Sequence, residues 1–89
     1  MSKCYRNSVG ELTPGLVLPT HYQTYLRLRL ADLEDAPSPA DADIAKARAN
    51  GAVEFAEVAN CVDASGIERL FMLIEHTYMA RIEALYREA

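Results

Sequence analysis

The residues best suited to chemistry lie on one face of a predicted C-terminal helix. Met72, His76, Met79 and Glu83 follow one another at spacings of four, three and four residues, which brings them to one side of a helix. Thioether and imidazole groups suit copper(I), so a soft-metal site can be imagined there. Methionine at helical spacing more often serves as packing material or as an adaptable contact surface, and we favour that interpretation. We therefore predict no metal and no cofactor.

Acid–base catalysis is the second chemistry that these residue types allow. Glu68, Glu75 and His76 carry the necessary groups, but no nucleophile, oxyanion site or cofactor loop accompanies them in the sequence. Solvated charges on a helix are the better interpretation, and we do not expect an enzyme. Cys61 is predicted to be a small buried filler, and Cys4 to be the more exposed and reactive thiol.

The element that must position these residues is a long helix from Gly66 to Glu88. Ser65 and Glu68 form a predicted capping box at its start. Three apolar rows run along it, comprising Ile67, Phe71, Ile74, Tyr78 and Leu85; Leu70, Leu73, Ala80 and Ala84; and Met72, Met79 and Tyr86. A helix that is apolar on nearly all sides is buried, so we expect this one to be covered on at least two sides.

A shorter helix is predicted from Thr20 to about Glu34, with a capping box formed by Thr20 and Gln23. The segment from Leu26 to Leu30 alternates apolar and charged residues, which is a strand pattern. Helix is favoured because leucine and arginine prefer it and because the chain offers no second clear strand for pairing.

The middle helix is predicted to run from Pro39 to Val62, with Ser38 as its N-cap. Its predicted packing stripe consists of Ile44, Ala47, Gly51, Phe55, Val58 and Val62. The stripe keeps its phase through Asn50-Gly51, which favours one continuous helix with Gly51 on the packed face. A kink at Asn50-Gly51 is the alternative.

Composition restricts the partners of the chain. The 89 residues carry a formal net charge of −4, which disfavours nucleic acid and anionic membranes because both need a basic face. Residues 55–70 weakly resemble a helix-turn-helix motif. The turn and the hydrophobic positions after it are out of register with that motif, and the second helix is not basic. No apolar run is long enough to span a membrane or to act as a signal peptide. We expect a cytoplasmic protein with reduced thiols.

The predicted fold is all-α: an antiparallel hairpin of two long helices plus a shorter N-terminal helix. Residues 1–19 form an irregular arm and residues 20–89 a helical bundle domain, which we expect to be a homodimer through the C-terminal helix. The expected function is to dock on another protein and modulate it, in the manner of an inhibitor; the alternatives are an assembly subunit of a helical oligomer or a DNA-binding regulator. In size and composition the chain is similar to small antiactivators, antitoxins and phage-encoded inhibitors. This similarity does not rest on any specific residues. The predicted interface residues are Leu70, Met72, Leu73, His76, Tyr78, Met79 and Arg81. Tyr78 and Arg81 are included because such side chains are enriched in interfaces. The alternative is that Arg81 extends past the end of the hairpin or pairs with Glu54 or Glu57 of the middle helix.

Overall fold

Three helices make up the regular secondary structure of the described residues. The computed structural model of the protein describes Tyr5 and residues 11–88. Helix α1 is Thr20–Glu34, α2 is Pro39–Val58 and α3 is Ala64–Glu88, and no strand occurs within the described ranges. The predicted all-α fold is confirmed.

Helices α2 and α3 pack as an antiparallel pair, and α1 packs against both. Lys46 Nζ lies 2.7 Å from a Glu75 carboxylate oxygen, and the Tyr78 hydroxyl donates to Asp43 at 2.6 Å. The later residue of α3 therefore meets the earlier residue of α2, as two helices running in opposite directions require. This is the hairpin, with a shorter N-terminal helix, that the sequence predicts.

Helix α1 has the predicted span, and its burial pattern rejects the strand interpretation of residues 26–30. Leu26 and Leu30 are fully buried, whereas Leu28 between them is exposed, as helical spacing of four residues demands. The predicted capping box at Thr20 is wrong. Pro19 occupies the N-cap position, and no side chain caps the helix.

Helix α2 begins as predicted and ends earlier than predicted. The Asp41 amide donates to Ser38 Oγ at 3.2 Å, and the helix continues unbroken through Asn50-Gly51. It ends at Val58 because Asn60 adopts a left-handed conformation, with φ 56°. The Asn60 amide donates to the Glu57 carbonyl and the Cys61 amide to the Ala56 carbonyl, which together form a Schellman motif.

The predicted packing face of α2 is wrong. The buried residues of α2 are Ala42, Ala45, Ala49, Ala52, Val53 and Ala56. Ile44, Phe55 and Val58 are instead 54%, 68% and 82% exposed, and a Cβ built on Gly51 meets no atom within 4 Å. Alanine side chains let α2 approach both neighbouring helices closely, and the leucines of α1 and α3 fill the space between.

Helix α3 begins at Ala64, and its N-cap lies earlier in the chain than predicted. Asp63 Oδ1 accepts from the Gly66 amide at 2.7 Å, so Asp63 caps the helix and Ser65 lies exposed within the first turn. Cys61 is exposed, so its predicted role as a buried filler is also wrong. Cys4 lies outside the described residues.

The described part of the N-terminal arm is folded onto the bundle. Residues 11–19 contain no helix or strand, yet Leu16 and Leu18 are buried in the same core as the helices. The Arg69 guanidinium donates to Thr13 Oγ1 at 3.2 Å and to the Pro14 carbonyl oxygen. The arm thus covers one of the α3 faces that the sequence left for a second copy of the chain.

To cross a membrane, a helix must be both long and strongly apolar. No helix in the described part of the chain meets both conditions.

Candidate functional site

The candidate site is a groove between α2 and α3, with a cavity volume of about 660 Å³. Ile67 is buried at its base, and Phe71 is half-buried against the core. Met72 is 52% exposed at its edge. These three α3 side chains give the groove an apolar floor, facing residues of α2 that run from Lys46 to Glu57.

Carboxylates form the rim of this groove. Glu54 and Glu57 from α2 and Glu68 from α3 are exposed residues that line it. Within the described part of the chain no ion pair or hydrogen bond engages their side chains. Three negative charges therefore stand beside an apolar floor without a counterion.

At the end of the groove lined by Lys46 and Glu75, the charges are paired with one another. Lys46 pairs with Glu75, and its Nζ also lies 4.3 Å from the centroid of the Tyr78 ring. The Tyr78 hydroxyl donates to Asp43, and this hydrogen bond raises the pKa of Tyr78 above its usual range. Tyr78 therefore joins α3 to α2 through contacts on both its ring and its hydroxyl.

The predicted interface residues are not all on one accessible surface. Met72, His76 and Met79 are exposed, while Leu73, Tyr78 and Arg81 are partly buried. Leu70 is completely buried in the core, and its packing leaves no surface for a partner to contact. The interface role of the six accessible residues stays a prediction.

Leu73 faces the N-terminal arm. Thr77, one turn further along α3, donates to the Leu73 carbonyl oxygen, and its Oγ1 lies 3.0 Å from the Tyr5 hydroxyl. A small cavity of about 210 Å³ is lined by Thr13 and Arg69 together with Met72, Leu73 and His76. Met72 thus borders both this cavity and the groove.

Arg81 makes a contact that the sequence does not predict. Its Nε donates at 2.7 Å to the carbonyl oxygen of Ala36 in the link between α1 and α2, and not to the alternative partners Glu54 and Glu57. Those two carboxylates lie on the rim of the groove instead. The local sequence gives no signal for that rim, because its carboxylates come from two different helices.

A second cleft lies between α1 and α2, with a volume of about 790 Å³. Tyr22 crosses its base and donates to the Ala52 carbonyl oxygen at 2.8 Å. Tyr25 and Phe55, which are 49% and 68% exposed, line opposite sides. Two arginines line this cleft, Arg29 and Arg48, and Arg29 is already engaged, with Asp32 at 3.0 Å and with the Tyr25 ring at 5.2 Å.

The described residues contain no group of three or more His, Cys, Asp or Glu side chains placed to hold one metal ion. Met72, His76, Met79 and Glu83 do share the exposed side of α3, which leaves them available as a contact surface.

Comparison of the chain with protein-family models, with curated protein sequences and with solved structures finds no match. Function is therefore inferred from the groove itself.

Proposed function

We propose that the protein is a binding module that docks on another protein by accepting a basic amphipathic helix in the groove between α2 and α3. The observation that carries the proposal is the combination of an apolar floor, formed by Phe71 and Met72, with the uncompensated rim carboxylates of Glu54, Glu57 and Glu68. A helix that lays its apolar side into a groove is a recurrent mode of protein recognition.

The apolar floor and the acidic rim of the groove contact different side chains of the partner helix. Apolar side chains of the partner bury against Phe71 and Met72, and the flexible thioether of Met72 adapts to their shape. Lysine or arginine side chains on the flanks of the partner helix meet the rim carboxylates. Because these carboxylates are exposed, their pairing contributes orientation and association rate more than affinity.

Binding of the partner's helix in the groove is also how the protein regulates that partner. A helix held in the groove is withheld from its other contacts, so binding inhibits whatever activity depends on that helix. This corresponds to the inhibitor-like role expected from the sequence. The cytoplasmic location expected from the sequence stays a prediction.

The proposal is tested with a synthetic probe of defined chemistry. The probe is a fluorescently labelled leucine–lysine helix of about 18 residues, which at 1.5 Å per residue spans about 27 Å. Binding is measured by fluorescence anisotropy. The control probes are a peptide of the same composition without helical periodicity and a leucine–glutamate helix, and neither should bind.

Matched variants locate the site. We expect Glu54→Gln combined with Glu68→Gln to weaken binding of the leucine–lysine helix about fivefold to tenfold. The control combines Glu83→Gln with Glu88→Gln, which removes the same charge from the exposed C-terminal end of α3 and should leave affinity nearly unchanged. Equal losses in both variants would mean that net charge attracts the probe, and the groove would be excluded as the site.

An assembly subunit is the second candidate function. It is favoured by the apolar residues that α2 exposes on the side opposite its core face, Ile44, Phe55 and Val58. DNA binding has no comparable observation in its favour.

A further inference from the structure

The exposed apolar row of α2 is arranged symmetrically about Gly51. Ala47 and Phe55 lie four residues on either side of Gly51, and Ile44 and Val58 lie seven residues on either side. Steps of four and seven residues return to nearly the same side of a helix. These five residues, which we call the outer face of α2, all belong to one helix and are all exposed.

We propose that the outer face of α2 is a homodimer interface, in which two copies pack with α2 antiparallel to α2 and with Gly51 on the two-fold axis. A two-fold interface uses the same surface patch on both subunits. In an antiparallel pair centred on Gly51, a residue at a given distance before Gly51 faces the residue at the same distance after it. The symmetric spacing therefore places every residue of the outer face opposite a residue of the outer face of the second copy.

The sizes of the side chains suit this pairing. A Cβ built on Gly51 meets nothing within 4 Å, so the position is open for the backbone of a second copy to approach closely. Phe55 then lies opposite the small Ala47 of the second copy. Ile44 lies opposite Val58 of the second copy, which joins two branched side chains at each end.

The charges beside the face are compatible with self-pairing. Arg48 lies on one flank of the face and Glu54 on the other, three residues before and after Gly51. In a two-fold antiparallel pair each flank meets the same flank of the second copy, so the two Arg48 residues stand about 9 Å apart along the axis. Arg48 instead approaches Phe55 of the second copy, where cation and ring attract.

The extent of the interface suggests a weak dimer. One helix face is small compared with the roughly 800 Å² per partner of a standard interface. Tyr25, which faces Phe55 across the cleft between α1 and α2, extends the apolar surface on the same side. We expect association in the micromolar range. The proposed interface lies on α2, whereas the sequence analysis expects one on α3, where the arm covers one face.

Cysteine crosslinking tests the register. Single-cysteine variants are made in a Cys4→Ser/Cys61→Ser background and oxidised. Gly51→Cys should form a covalent dimer, because the two copies of residue 51 meet on the axis within disulfide reach. Ile44→Cys alone and Val58→Cys alone should not, since each residue stands about 21 Å along the axis from its own copy. A mixture of Ile44→Cys and Val58→Cys chains should crosslink as a heterodimer.

Mass measurements test the face without any crosslink. Sedimentation equilibrium of the unmodified chain should show a mass rising from 9.9 kDa toward twice that value as concentration increases. Gly51→Gln should remain monomeric, because the glutamine side chain blocks the approach of the second copy. It should also remain fully folded, because a Cβ at this position meets no atom of its own chain within 4 Å. Ala80→Gln, at an exposed position of α3, should dimerise normally.

Two results would overturn the proposal. Self-crosslinking of Ile44→Cys as efficient as that of Gly51→Cys would indicate a parallel pair, and a constant monomer mass into the millimolar range would exclude the interface. The inference is independent of peptide binding, because Gly51→Gln should bind the leucine–lysine helix with unchanged affinity. Failure of either proposal is thus visible separately from failure of the other.

Discussion

Arg81 Nε donates a hydrogen bond of 2.7 Å to the carbonyl oxygen of Ala36. This contact joins the C-terminal half of α3 to the link that follows α1. Asp32, Glu34 and Asp35 stand near that end of α1, where the negative end of the helix dipole makes acids unfavourable. The positive charge that Arg81 brings to this end of α1 is favourable for the same reason.

Replacing Arg81 by methionine should therefore destabilise the fold. Arg81→Met keeps much of the aliphatic packing but leaves the carbonyl of the nearly buried Ala36 without its donor. We expect a loss of about 2 kcal/mol in the free energy of unfolding, measured by urea denaturation. The control is Arg87→Met in the exposed last turn of α3, which should cost less than about 0.5 kcal/mol. Equal effects of the two variants would show that the contact to Ala36 is unimportant.

Replacing the helical glycines Gly51 and Gly66 by alanine should change the stability of the fold in opposite directions. Gly51 is exposed, and a Cβ at this position meets no atom within 4 Å, so Gly51→Ala should raise stability by about 0.5–1 kcal/mol through helix propensity. A Cβ at Gly66 would lie 2.5 Å from Val62 Cγ1 and 3.0 Å from Leu16 Cδ1, so Gly66→Ala should cost about 1–3 kcal/mol.

Thermal unfolding followed by circular dichroism, at a concentration where the chain is monomeric, measures both glycine variants. Gly51→Leu should also be tolerated, in contrast to the overpacking that the sequence predicts for a glycine on a packed face. A large loss of stability in Gly51→Leu would mean that residue 51 is buried after all.

The start of α3 provides a test of capping. Asp63→Ala removes the carboxylate that accepts from the Gly66 amide, and it should cost about 1 kcal/mol. Ser65→Ala, at the position that the sequence favours as the cap, should change stability by less than about 0.5 kcal/mol. Urea denaturation of the two variants decides which residue is the cap, since the reverse order of effects would restore Ser65 to that role.

Tyr22 should make stability fall at high pH. Burial raises the pKa of Tyr22 from 10.0 to about 12, and its hydroxyl donates to the Ala52 carbonyl oxygen. The folded state therefore retains this proton at pH values where the unfolded state has lost it. The resulting stabilisation is fully present below pH 10 and is lost as the pH rises through about 12.

Ultraviolet titration detects this ionisation, and the difference between the unmodified chain and Tyr22→Phe isolates the contribution of Tyr22. The variant should also lose about 1 kcal/mol at neutral pH, because the hydrogen bond to Ala52 is gone. A difference spectrum that titrates near pH 10 would mean that the phenol is exposed in solution.

Local sequence patterns determined much of the fold. The apolar spacing of three and four residues predicts all three helices, because this periodicity is set by the geometry of a single helix. Ser38 and Pro39 start α2 through contacts within one turn, and the row from Ile44 to Val58 keeps its phase across Gly51, which correctly predicts an unbroken helix. Each of these features depends only on residues that are neighbours in sequence.

The candidate groove could be predicted only in part. The Met72 side of α3 is visible in the sequence as a possible contact surface, and it borders the groove in the structure. The acidic rim is not visible, because Glu68 stands 11 residues from Glu57 along the chain. Only the antiparallel packing of α2 on α3 brings these carboxylates to one side.

Tertiary packing alone decided which side of α2 is buried. The helix carries two apolar rows at helical spacing, a row of larger side chains that includes Ile44 and Phe55 and a row of alanines that includes Ala49 and Ala56. Hydrophobicity favours the first row, whereas close packing between α1 and α3 favours the second. The alanine row is buried because leucines of the neighbouring helices, such as Leu30 and Leu70, already fill the core, and only small side chains fit against them.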